Sequence, residues 1–133
     1  MPAAPAIGRV WLLTALLLVP PVVALWLGVA PAWRPWLSGW VCVLSLATFA
    51  VYAWDKRRAV QGGERTRESS LHLLALLGGW PGALLAQPLL RHKNAKSSFQ
   101  VLFWLIVAIH EYLALDCLAG WRFAHFIAGS LRG

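Results

Sequence analysis

A chain of 133 residues that is 59% hydrophobic and only 13% charged, against about 25% charged in soluble domains, reads as one domain of an integral membrane protein. Its net charge of +7 reports first on loop orientation and contact with anionic lipid. No basic run is interleaved with aromatics as a base-stacking surface requires, so no nucleic-acid partner is expected. Cys42 and Cys117 lie in apolar stretches without CxxC, disulfide or zinc spacing, which reads as two buried, inert thiols.

The first apolar segment covers residues 10–29. Arg9 followed by "VWLLTALLLV", with Ala30-Pro31-Ala32 beyond, resembles a secretory signal peptide. More than ten residues, including Pro20-Pro21 and Trp26, separate that run from the small-residue site. The expectation is therefore a retained transmembrane helix, kinked at the proline pair. The second segment, residues 36–54, carries Ser38, Gly39, Ser45 and Thr48, small residues suited to close helix contact. Tryptophans at 26, 33, 36 and 40 bracket the first loop as an interfacial belt, and Trp11, Tyr52 and Trp54 mark the opposite interface.

The third segment, residues 69–90, reads "SSLHLLALLGGWPGALLAQPLL". Glu68 beside its start suits a helix N-terminus. Gly78-Gly79 is a stop signal, because glycine takes the left-handed conformation readily after a helix. Pro81 suits the first turn of a new helix, and Gly82 follows. Each half is nine or ten residues, about 15 Å at the α-helical rise and so half a bilayer. The segment is expected to be broken or re-entrant, the alternative being a kinked but continuous span. The fourth segment covers residues 99–118. The tail, residues 120–131, sets Trp121, Phe123, Phe126 and Ile127 among Arg122, His125 and Arg132, either a surface helix on the membrane or a frayed end.

Re-entry places nine of the twelve lysines and arginines on the N-terminal side, and a full span eight. Either way the positive-inside rule puts the N-terminus and the second loop in the cytoplasm.

Polar residues gather at three places. The second loop, "YAWDKRRAVQGGERTRESSLH", sets Asp55 and Lys56 at the end of the second segment and Arg65 and Glu68 at the start of the third, with Gly62-Gly63 as the turn. The third loop, "RHKNAKSSF", offers His92, Lys93 and Lys96, a cradle for phosphate or carboxylate. Surface ion pairs of about 0–1 kcal/mol and snorkelling cations are the plainer readings of these two loops. Within the fourth segment, His110 and Glu111 would lie near mid-depth and Asp116 near the far interface. Intramembrane ionisable groups point to function, but adjacent residues share no helix face, so His110 and Glu111 are expected to find different partners. The four histidines lack metal-ligand spacing, and no phosphate loop or nucleophile motif is present. No metal or cofactor is expected.

Tyr52 near Asp55-Lys56, Arg65 with Glu68, Gly78-Gly79 with Gly82, and His92-Lys93 with Lys96 together resemble the signature of the bacterial membrane family called domain of unknown function 1294. The resemblance runs from about Tyr52 to Phe99. Thr66-Arg67 departs from it, standing where the family commonly has an apolar residue and proline. Some relatives carry an N-terminal cold-shock domain; this sequence has none, so nucleic-acid binding is not carried over. The resemblance implies no reaction. It implies a bacterial inner-membrane protein in which the two loop edges and the glycine break work together.

The expected fold is all-α and polytopic, with four apolar segments, the third broken or re-entrant, and a homo-oligomer is an open possibility. Three function classes stand. The first is a module holding an anionic headgroup or small anion at the cytoplasmic face through Lys56, Arg65, His92, Lys93 and Lys96, with Asp55 and Glu68 orienting them. The second is a small transporter or channel using the break with His110 and Glu111. The third is a membrane enzyme on a lipid or phosphorylated substrate, with His92 as acid or base.

Overall fold

The structure is a computed structural model and describes residues 7–64, 66–90 and 97–133. All regular structure among these residues is helical: α1 (Ile7–Gly28), α2 (Arg34–Val60), α3 (Glu68–Leu74), a wide π-type turn (Ala75–Gly79), α4 (Trp80–Leu89), α5 (Ser97–Leu118) and α6 (Arg122–Arg132). Gly8–Gly28, Arg34–Val60, Glu68–Leu89 and Ser97–Leu118 are each long and apolar enough to cross a membrane. Large apolar side chains point outward along them, with Leu27 77%, Leu46 73% and Val101 68% exposed. So extensive an apolar exterior belongs in lipid, and the chain is a multi-pass membrane protein.

α1 runs as one helix through Pro20 and Pro21. It packs along α5, with Gly28 against Cys117, so the C-terminal ends of the two helices lie together. The turn into α2 is pinned by Arg34, whose Nε donates to the Val29 carbonyl at 3.1 Å and whose guanidinium sits 5.4 Å from the Trp26 ring centre. α2 continues past Trp54 to Val60, so Asp55 and Lys56 stand on its last turns and not in a loop. Cys42 is exposed, which corrects the expectation of two buried thiols; Cys117 is half-buried.

The third segment is the interior of the molecule. In its most apolar stretch 56% of residues are buried, against 17%, 11% and 28% for α1, α2 and α5. The core joins Leu71, Ala75, Trp80, Ala83, Leu84 and Ala86 of this segment to Tyr52 of α2 and Phe99, Phe103, Ile106 and Val107 of α5. Its middle breaks at one residue, Gly78, with φ 120° and ψ 2°, backbone that a Cβ disfavours. The Leu77 carbonyl beside the break accepts a 3.0 Å hydrogen bond from Trp40 Nε1. In lipid an unpaired carbonyl costs several kcal/mol, so Trp40 makes the break tolerable. α4 then starts at Trp80 with Pro81 in its first turn, where the missing N–H leaves nothing unpaired.

The course of the segment can be followed against α2. At its start the Thr66 N–H donates to Asp55 Oδ1. Leu77 has reached Trp40. Beyond the break Gly79 lies against Leu44 and Thr48, and Gly82 against the backbone of Ser45. Gln87 then reaches Tyr52, and Leu90 lies beside Ala53, Lys56 and Arg57. Both ends of the segment therefore meet the same end of α2. The close approach of α4 is possible because Gly79 meets Thr48 and Gly82 meets Ser45, small against small.

Candidate functional site

Where the two ends of the third segment meet α2, polar groups collect. Tyr52 and Asp55 lie on one face of α2, 1% and 2% exposed, too deeply buried to serve as solvated loop charges. Asp55 is the acceptor that ties the chain before α3 to α2, through the Thr66 amide. Gln87 Nε2 lies 3.5 Å from Tyr52 Oη, and Gln100 Nε2 donates to Gln87 Oε1 at 3.0 Å. These three side chains form a polar ladder from α2 through α4 to α5. His72 is buried with its ring 4.3 Å from that of Phe99, and its Nδ1 has no hydrogen-bond partner among the described residues.

Beside the ladder, Ala53, Lys56, Arg57, Val60, Gln61 and Leu90 line an open cavity of about 370 Å³. Lys56 and Arg57 supply its cationic wall. Glu68 sits in the first turn of α3, where the helix dipole favours an anion.

Of the candidate ligand-binding residues, the structure thus brings Tyr52, Asp55 and Lys56 to one end of the helix bundle, with Glu68 in the first turn of α3, two residues after the Thr66 that Asp55 holds. Arg65, His92, Lys93 and Lys96 lie outside the described residues, although Leu90, which leads into the last three, borders the cavity. Gly78, Gly79, Pro81 and Gly82 form the tip of the hairpin, remote from this end. Gln87 and Gln100 escaped the sequence reading. The signal was there: each is an amide inside an otherwise apolar segment, and amides in lipid seek a partner on another helix.

The intramembrane groups fall elsewhere. His110 lies 6.3 Å from Trp80, ring centre to ring centre, and its Nδ1 is 2.8 Å from the Ile106 carbonyl of its own helix. Glu111 has one buried carboxylate oxygen without a partner among the described residues. Asp116 caps α6. Among the described residues no three His, Cys, Asp or Glu side chains converge as a metal site would require.

No curated protein and no solved structure matches the chain. At residues 45–99 the chain matches the family model described as "Protein of unknown function (DUF1294)", the family its motifs resemble, and the matched residues include the whole third segment, α3 to α4.

Proposed function

We propose that the third segment is a re-entrant hairpin of a bacterial inner-membrane protein. Both of its ends open on the cytoplasmic face, and the protein there holds an anionic lipid headgroup or small anion. Lys56, Arg65, His92, Lys93 and Lys96 supply the positive charge, with Asp55 and Glu68 orienting the loops. The observation that carries this reading is the meeting of Thr66 with Asp55 and of Gln87 with Tyr52 at one end of α2. A segment that crossed fully would hold its two ends about 30 Å apart. Three crossings remain, α1, α2 and α5, and the positive-inside rule puts the N-terminus and both hairpin loops in the cytoplasm.

The buried Asp55 supports a binding role. A pair of long cationic side chains beside lipid gains little from headgroups it can reach in many geometries. Cations next to chain that a buried scaffold holds, as Asp55 holds Thr66, meet an anion with less ordering to do. Transport through the break finds less support. The tip is packed shut by Gly79 and Gly82 against α2, His110 is satisfied within its own helix, and Asp116 is committed to α6.

Two measurements test the proposal. With Cys42 and Cys117 replaced, Lys93→Cys is expected to react with a membrane-impermeant maleimide in inverted membrane vesicles and to stay unlabelled in intact spheroplasts. Labelling from the outside would exclude the hairpin and the shared site. The double replacement of Lys93 and Lys96 by alanine should weaken binding to phosphatidylglycerol vesicles at least tenfold, about 1.4 kcal/mol. Undiminished binding would remove the anion reading and leave the topology standing.

A further inference from the structure

At the opposite end of the bundle the chain builds a second lipid-facing device. After α5 the backbone turns sharply, with Gly120 and Trp121 at φ 72° and 60°. The Trp121 N–H donates to the Asp116 carbonyl at 2.8 Å. The Asp116 carboxylate then receives both first free amides of α6, Phe123 N–H on Oδ1 at 3.1 Å and Ala124 N–H on Oδ2 at 3.2 Å. One buried acid on α5 therefore fixes where α6 begins and the direction in which it leaves. An eleven-residue helix is marginal alone in water, so both this cap and a surface for its apolar face matter to it.

That face is complete and uncovered. Phe123, Phe126, Ile127 and Leu131 fall at i, i+3, i+4 and i+8, one stripe of the helix. Their exposures run from 41% at Ile127 to 82% at Leu131. Ser130 is the lone polar side chain within the stripe, and its hydroxyl donates to the Phe126 carbonyl at 3.0 Å, so the stripe carries no unsatisfied donor into an apolar medium. Arg122, His125 and Arg132 occupy the other side, and α6 has no acidic residue. The Phe123 ring meets Tyr112 of α5 edge-on at 5.7 Å. Tyr112 is 43% exposed on the outer surface of a membrane-crossing helix, next to exposed Leu113 and Leu115. The apolar stripe of α6 is thereby continuous with the lipid-facing belt of α5.

We infer that α6 is an interfacial helix held by Asp116 against the leaflet at this end of the bundle, its phenylalanine stripe at the acyl boundary and its arginines among anionic headgroups. The bilayer is the occupant this geometry fits. Charge and apolarity separate cleanly around the helix, and the stripe joins a surface already in lipid rather than standing apart as a patch for another protein.

The test uses the full chain, with both native cysteines replaced, in vesicles of equal parts phosphatidylglycerol and phosphatidylcholine. Spin labels are placed one at a time at 126 and 131 on the stripe and at 125 and 129 on the polar side. All four positions are exposed, so the fold is not at risk. Labels on the stripe are expected to show a severalfold higher ratio of oxygen to nickel-chelate accessibility than those on the polar side. Asp116→Ala should bring the two sets together. Equal accessibility around the helix in the parent would overturn the inference. So would stripe labels shielded from both reagents and dipolar-broadened, which would mean a second copy covers the stripe. Survival of the pattern in Asp116→Ala would sink the role of Asp116 as its holder.

Discussion

Gly82→Ala should lower the stability of the protein in detergent by about 1–3 kcal/mol, the usual cost of overpacking, and Gly82→Leu by more. The reason is what a Cβ would meet. It would overlap the carbonyl oxygen of Ser45 and stand 2.7 Å from that carbonyl carbon and 2.9 Å from the Ser45 Cα. These are backbone atoms of α2 and cannot swing aside as a side chain does. The two helices would have to separate, and the contacts of Ala83 and Ala86, both fully buried, would loosen with them. In lipid, small residues at such a crossing supply association through close van der Waals contact, since apolar burial itself gains nothing there. The measurement is the unfolding midpoint followed by tryptophan fluorescence, with Gly129→Ala as the control, because a Cβ at 129 meets open space. Equal midpoints for the two variants would mean that α4 does not pack on α2 through Gly82.

Asp55→Ala should cost a comparable amount, about 1–3 kcal/mol, for a different reason. Removing the buried carboxylate takes from the half-buried Thr66 N–H the acceptor it has in the folded protein, a charge-assisted hydrogen bond of about 1.5–3 kcal/mol, and leaves a void where Asp55 packs. The loss would be local first. The segment before α3 would detach from α2, so backbone amide exchange at 66–70 should accelerate and the loop should become open to proteolysis, while α5 and α6 keep their protection. Asp55→Asn retains an acceptor oxygen and should be milder than Asp55→Ala. If exchange at Thr66 is unchanged in Asp55→Ala, the buried acid is not what ties the hairpin to α2.

These two residues also show where sequence reading reached and where it stopped. Composition and four runs of apolar residues were enough for an all-helical membrane protein, because a backbone in lipid must satisfy its own hydrogen bonds and a helix does so within one segment. The interruption at Gly78 was legible for the same local reason: left-handed backbone favours glycine, and proline favours a first turn. The family resemblance rested on residues that the matched segment contains. Asp55, by contrast, reads in the sequence as a loop-edge charge, and only the continuation of α2 to Val60 shows it to be a buried anchor. Gln87 and Gln100 are thirteen residues apart on different helices, and no periodicity joins them. Asp116 reads as an ionisable group near an interface, yet its oxygens are spent on amides seven and eight residues ahead. Local propensity determined the elements and their breaks, because those depend on a residue and its near neighbours. Which polar groups share one end of the bundle was decided by tertiary structure alone, through the direction in which the chain leaves Gly78 and the closeness with which Gly79 and Gly82 let it return along α2.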